Sequence, residues 1–282
     1  MTAATPSAFD AWVGRTEEID DLAAASPLEG LAALLDHEVS PWRPGEVPPL
    51  GHWLSFLPRA RQSQIGVDGH PRRGGFLPPI ELPRRMWAGG RLTFHGAIPV
   101  GAPITRRSTI LAVAPKTGAS GEMVFVTVQH DVIVDGAVAV SEQQDIVYRE
   151  APKGPAPADG PAPERRPADA TRTVTPDPVM LFRYSALTFN SHRIHYDRDY
   201  ARNEEGYPGL VVHGPLLATL LIDHLLRERP GVRIAKFDFR AQRPLFDTAP
   251  FQLCLKDREG GCDLWSQDMD GRVATQAKAE LA

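Results

Sequence analysis

Between Phe189 and Asp199 the chain reads FNSHRIHYDRD, which places Asn190, His192, Arg193 and His195 close together. A neutral imidazole is the best side-chain base near neutral pH. An asparagine amide can both donate to a water molecule and accept from one. Asn190 followed five residues later by His195 therefore suggests a water held by one side chain and deprotonated by the other. A little further on, VVHGPLLATLLIDHLL offers Gly214 and Pro215 at what reads as a helix start. Proline is tolerated in a first helical turn because its missing N–H would be unpaired there anyway. The free amides of a helix start carry partial positive charge, and Gly214, read as the cap, has no side chain to block approach. Such an amide suits a carbonyl that gains negative charge, as in the enolate formed when water adds to an α,β-unsaturated thioester. Arg193 has two readings, a bidentate grip on a substrate carboxylate or a surface pair with Asp197 or Asp199. His192 reads as a residue holding the loop, and His213 as a helix-entry residue that positions Gly214.

These groups need a frame. Leu216 to Leu226 is leucine-rich and apolar nearly all the way round, which predicts a helix buried on most sides. Arg227, Arg229 and Pro230 supply cations and a stop at its far end. After it come VRIAKFDFRAQRPLF, APFQLCLKD, CDLWSQDM and RVATQAKAEL, alternating and β-branched runs separated by Gly-containing turns. A similar set occupies the first half: RLTFHGAIPV, PITRRSTILAVAP, GEMVFVTVQHDVIV and AVAVSEQQDIVYR. An offset of 145 residues carries Phe94 onto Phe239 and Pro99 onto Pro244, the signature of a duplicated unit. A long buried helix followed by antiparallel strands implies an α+β fold in which a sheet wraps a helix. The first half has only a weaker helix candidate, Leu28 to Asp36, and its segment 76–90 is full of Pro and Gly. Ala151 to Ala170, rich in Pro and Ala, reads as a linker. The expected division is thus 1–150, a degenerate substrate-binding half; 151–170, linker; and 171–282, the catalytic half. In the first half, DGHP (Asp68, Gly69, His70) reads as a β-turn. Arg84, Arg85 and Trp87 in PRRMWAGG suit contacts to the phosphates or base of a nucleotide-bearing ligand, or else a solvated basic loop.

Composition narrows the partners. With 31 basic and 35 acidic residues in 282, net charge −4, nothing points to nucleic acid or a membrane surface. The N-terminus lacks the pattern of a secretory signal, and no apolar run reaches the roughly 20 residues of a membrane span, so a cytoplasmic location is expected. Cys254 and Cys262 flank the turn LKDREGG and are expected to stay reduced. Neither CxxC nor HExxH is present, so no metal site is expected.

Taken together, TFNSHRIHYDRDYA and GLVVHGPLLATLL resemble the MaoC-like (hydratase 2) family of double hot-dog enoyl-thioester hydratases and dehydratases. In the first half GVDGHPRRGGFLPPIELPRRMWAGGRLTF and DIVYRE are similar to the branch that includes hydratases of mesaconyl-C4-CoA and itaconyl-CoA and mitochondrial-type 3-hydroxyacyl-thioester dehydratases. The resemblance spans nearly the whole chain. It implies a double hot dog whose second half is catalytic, with His195 as base, Asn190 beside it, and the Gly214 amide on the thioester carbonyl. The wider family carries Asp at the place of Asn190. An amide cannot exchange a proton, so His195 must do more of the acid–base work. The substrate implied is an acyl-CoA thioester, a short branched dicarboxyl ester such as mesaconyl-C4-CoA; no other cofactor is implied. A straight-chain acyl-CoA or acyl carrier protein substrate, a thioesterase and a non-catalytic acyl-CoA-binding protein are the rival readings. A monomer and a homodimer are both compatible.

Overall fold

Period-two burial makes strands of all eight expected runs, and two more strands flank them. The computed structural model describes residues 9–39, 41–118, 121–150 and 160–282. The strands are β1 (Thr16–Leu22), β2 (Arg84–Phe94), β3 (Pro103–Gly118), β4 (Gly121–Val134), β5 (Ala137–Arg149), β6 (Ala170–Val174), β7 (Ile234–Ala241), β8 (Phe251–Arg258), β9 (Gly261–Asp268) and β10 (Val273–Leu281). They form one antiparallel sheet in the order β1-β3-β4-β5-β2-β7-β10-β9-β8-β6. The order reads the same from either end once each strand of the first half is exchanged for its counterpart in the second. The halves meet at β2 and β7, where Leu92 faces Phe237 and Gly90 faces Phe239. The same offset of 145 that relates Phe94 to Phe239 relates Leu92 to Phe237, so the approximate two-fold axis runs through that pair. Both are buried, at 1% and 0% exposure. A side chain at Gly89 would run into the Phe239 carbonyl, so the close approach of the two strands requires glycine there. Of the expected linker, residues 151–159 lie outside the described residues, and β6 already begins at Ala170.

The helices break the symmetry. They are α1 (Ala25–Leu34), α2 (Pro178–Thr188), α3 (Arg198–Asn203) and α4 (Gly214–Glu228). The last covers the predicted Leu216 to Leu226 and packs on β8, β9 and β10, with every residue from Leu216 to Leu225 buried. His213 is its N-cap and Gly214 its first helical residue, one position later than the sequence reading placed it. Asp223, in the buried part of α4, is held by His37 (2.6 Å), Arg172 (2.8 Å) and Arg227 (2.9 Å). In the first half, α1 overlaps the candidate at Leu28 to Asp36, but it packs against α2 rather than inside its own half-sheet. The place corresponding to α4 is found through a repeated backbone bond: Val212 N–H donates to Leu245 C=O, and Val47 N–H donates to Ile98 C=O, both at 2.8 Å. Just beyond Val47 there is only a single 3-10 turn, Gly51–Leu54. The wrapped helix is therefore long in one half and reduced to one turn in the other. Among the described residues no helix is long and apolar enough to cross a membrane.

Because Phe237 lies at the centre of the joint, truncation there leaves a cavity shared by both halves. Phe237→Ala is expected to lower stability by about 3–5 kcal/mol, measured by urea unfolding at constant slope.

Candidate active site

Helix α2 begins at Asp177, whose carboxylate accepts from Met180 N (2.7 Å), with Pro178 at the first helical position. It ends at Phe189 in the left-handed conformation, φ 48°. That reversal throws the chain into the loop carrying the candidate residues. Asn190 Oδ1 accepts from His192 N at 3.0 Å, closing a tight turn, while its Nδ2 makes no hydrogen bond among the described residues. The amide thus shapes the loop through its oxygen and leaves a donor for a further partner. A 3-10 turn, Arg193–His195, then swings His195 inward until it is only 7% exposed.

The His195 ring is fixed on three sides. Its Nδ1 lies 2.7 Å from the Val211 carbonyl. A carbonyl only accepts, so Nδ1 carries the proton and Nε2 keeps its lone pair. One face stacks on His213, with ring centroids 3.6 Å apart and planes at 18°. The edge of His192 meets it at 5.5 Å. His213, fully buried, places Nε2 2.9 Å from Ser185 Oγ on α2, and as the N-cap residue it carries Gly214 behind it. The stack therefore brings His195 alongside the start of α4, as the sequence reading required. The Gly214 N–H makes no hydrogen bond among the described residues. A side chain on Gly214 would meet only the Trp87 carbonyl, at 3.8 Å, so the space beside its Cα is open. Burial drives the histidines toward neutrality. His195 is pushed down to about 4 by burial, only partly offset by the Val211 carbonyl. His192 is pushed down to about 2 by burial and its histidine neighbours, and His213 falls well below the ordinary range for the same reasons.

The remaining sequence candidates divide. Arg193 is not free to hold a substrate: its guanidinium bonds Asp197 (3.0 and 2.8 Å) and the Val67 carbonyl (3.1 Å), and lies over the Tyr200 ring. The pair with Asp197, four residues on, is the contact the structure shows for Arg193. Arg84 is likewise committed, to Glu205 (3.1 Å) and the Tyr207 ring, and it ties β2 to the second half instead of facing a phosphate. Trp87 is no exposed platform for a base. Its ring packs against Trp53 (4.9 Å) and Phe239 (5.7 Å) at the joint, and it walls a cavity of about 170 Å³ shared with Thr188, Arg106 and Gln144. Arg85 differs from its neighbours. It makes no ion pair or hydrogen bond among the described residues, is half-buried, lines a cavity of about 510 Å³, and is near enough to His70 and His192 to lower the basicity of both.

Sequence reasoning missed one contributor. The DGHP turn of the first half is clamped onto the loop carrying His195: Arg193 N–H donates to Asp68 C=O (2.9 Å) and Ser191 Oγ to Gly69 C=O. Gly69, φ 90°, lies so close to Ser191 that a side chain there would collide with the Ser191 carbonyl. The clamp sets the His70 ring 4.1 Å from that of His192. Asp68, His70 and His192 gather three ligand-type atoms within 4.8 Å of one another. Both Asp68 oxygens are nevertheless occupied by His70, one on its N–H and one on Nδ1, each at 3.0 Å. The group is an aspartate–histidine pair. No local spacing could reveal it, since the loops it joins lie more than a hundred residues apart in the chain.

Two pH effects follow. The base form of His195 is lost only as pH falls through about 4, so the acid limb of activity is expected there, and His195→Gln is expected to cost at least roughly 10²-fold in kcat. Stability responds earlier. Histidines held neutral in the fold bind protons more readily when unfolded, so stability declines as pH drops below about 6.5. Urea titrations between pH 7 and pH 5 check the sign.

Comparison with known proteins places this geometry in a family. The model of the family described as "Hydroxyacyl-thioester dehydratase type 2" matches residues 50–247. The chain is 50% identical over 273 residues to the "Mesaconyl-C(4)-CoA hydratase" of Chloroflexus aurantiacus, covering 96% of this chain and 97% of that one. Among solved structures, HtdX of Mycobacterium tuberculosis superposes with a TM-score of 0.67 at 19% identity, over 95% of this chain and 100% of its own. A second Mycobacterium tuberculosis protein, described as having a double hotdog fold, superposes at 0.56 with 12% identity, over 95% of this chain and 96% of its own. The fold is the α+β double hot dog, and the chain belongs to the hydroxyacyl-thioester dehydratase type 2 family.

Proposed function

We propose that this protein reversibly hydrates a short branched dicarboxyl enoyl-CoA, mesaconyl-C4-CoA to citramalyl-CoA. The observation that carries the reading is the pairing of a buried imidazole, its free Nε2 fixed by Val211, with an unpaired helix-start amide at Gly214. The thioester carbonyl accepts from Gly214 N–H. Asn190 Nδ2 donates to a water, and His195 Nε2 takes its proton as the oxygen bonds to the β-carbon. The electrons of the double bond move onto the thioester oxygen, where the amide and the partial charge of α4 stabilise them in a site shielded from solvent. Protonation of the α-carbon completes the addition. The steps use the CoA ester as substrate and no added cofactor. The activity of the Chloroflexus relative, as its name gives it, supports the acyl group. We further assign Arg85 to the substrate's free carboxylate, because it lies near the histidines and its guanidinium has no hydrogen bond or ion pair among the described residues. A cytoplasmic location suits two buried cysteines that are not joined to each other.

Purified protein is expected to deplete the enoyl-thioester absorbance of mesaconyl-C4-CoA. No turnover of that ester, with turnover of straight-chain enoyl esters, would move the reading to a straight-chain hydratase. In Arg85→Met, the preference for mesaconyl-C4-CoA over 3-methylcrotonyl-CoA, which carries methyl in place of carboxylate, should fall by roughly 10²-fold. An equal loss on both esters would instead place Arg85 on the CoA moiety.

A further inference from the structure

Addition of water needs one group to take a proton from oxygen and one to give a proton to the α-carbon. Asn190 can do neither, and His195 is backed only by a neutral carbonyl, which does little to stabilise its protonated form. The first half of the chain brings another imidazole to the same place, with a carboxylate behind it. We infer that His70, oriented by Asp68, is the second proton-exchanging group of the catalytic site, serving the α-carbon while His195 serves the oxygen. The inference rests on the hydratase reading above.

Three observations support it. The Asp68 carboxylate receives Nδ1–H of His70 at 3.0 Å, so Nε2 points away from it and has no partner among the described residues. The turn is not a loose surface loop: Gly69 abuts Ser191, and the Asp68 and Gly69 carbonyls each accept a bond from the catalytic loop. His70 continues a row of imidazoles, with His213 against His195, His195 against His192, and His192 against His70. Burial alone would raise Asp68, but the bonds and charge of His70 hold it below the usual carboxylate range, so it remains an anion facing the ring. An anion there stabilises an imidazolium as no backbone carbonyl can. Burial still lowers His70 overall, with Arg85 and Arg73 adding to that effect and Asp68 opposing it. His192 faces it from the catalytic loop, with Arg193 and Tyr200 near Asp68.

The proton count closes. In hydration the pair starts with His70 as an imidazolium, one proton on Nδ1 held by Asp68 and one on Nε2. His195 Nε2 takes a proton from water as the C–O bond forms, and His70 Nε2–H protonates the enolate at the α-carbon, breaking its N–H bond. The proton now on His195 returns to His70 through solvent, which restores the start and leaves one water added. Dehydration runs the same states backward: neutral His70 removes the α-proton, and protonated His195 gives its proton to the departing hydroxyl. The reactive form therefore has His195 neutral and His70 protonated for hydration, so hydration declines as pH rises through the value of His70.

The test uses the full chain with mesaconyl-C4-CoA, once wild-type turnover is established; its absence would count against the hydratase reading and not this one. His70→Gln is expected to lower kcat by roughly 10²-fold or more with KM changed little. Asp68→Asn keeps an oxygen for the His70 N–H but removes the charge, so the alkaline limb of the hydration profile should move to lower pH. Far-UV circular dichroism and melting temperature identify any variant that has lost its fold, and Asp68→Asn then decides. Wild-type kcat in folded His70→Gln, or an unmoved alkaline limb in Asp68→Asn, overturns the assignment. So does activity removed by EDTA and restored by Zn²⁺, which would make Asp68, His70 and His192 ligands instead.

Discussion

His195 can act as a base only because one backbone carbonyl decides where its proton sits. Val211 accepts from Nδ1, and the free lone pair is left on Nε2. That carbonyl lies in the extended stretch leading into α4, so the residue that fixes the tautomer and the residue that offers the amide belong to one rigid segment. Two further bonds fasten that segment: Val211 N–H donates to Ile194 C=O (3.0 Å) and Val212 N–H to Leu245 C=O (2.8 Å). The imidazole, its tautomer and the helix start consequently move as a unit. A site assembled this way loses little entropy when a substrate arrives.

Burying a row of histidines is costly for the fold, and the structure shows what compensates. The histidines sit where α2, the start of α4 and the clamped turn converge, behind a largely aliphatic core running from Leu181 to Leu225. Neutral imidazoles are cheaper to bury than cations, and hydrogen bonds between His213 and Ser185 and from His195 to Val211 satisfy part of their polarity. His213 Nδ1 remains buried without a partner among the described residues. An unsatisfied buried polar atom is destabilising, and such features concentrate at functional sites.

Much of this was legible in the sequence, for physical reasons that can be named. Each expected strand had an alternating face to bury, and β4, with Val124, Val126 and Val128 turned inward, shows how directly the period reports the sheet. Helix α4 announced itself through Pro215 and a run of leucines. The duplication was visible because the joint itself preserves it, Leu92 against Phe237. Strands β1 and β6 were missed: acidic TEEIDDL and short ATRTV sit at the two sheet edges, where little of each is buried and the apolar signal is weak. Within the site, residues near each other in the chain could be paired in advance. Arg84 and Trp87 could not be assigned, because their partners Glu205 and Phe239 come from distant segments.

The asymmetry of the two halves follows from the same division of labour. A full helix inside the first half-sheet would occupy the space that now holds the cavity between Trp87, Arg106 and Thr188. With only the turn Gly51–Leu54 there, the buried Glu142 that also lines the cavity is satisfied by His52 (2.9 Å) and Trp53 (3.0 Å). The released chain also gains the length to cross over and press Gly69 onto Ser191. Loss of a helix in one copy and retention of its start in the other are thus two parts of one arrangement. The second half holds His195 and the start of α4, and the first half contributes Trp87, Arg85 and the turn clamped onto the His195 loop.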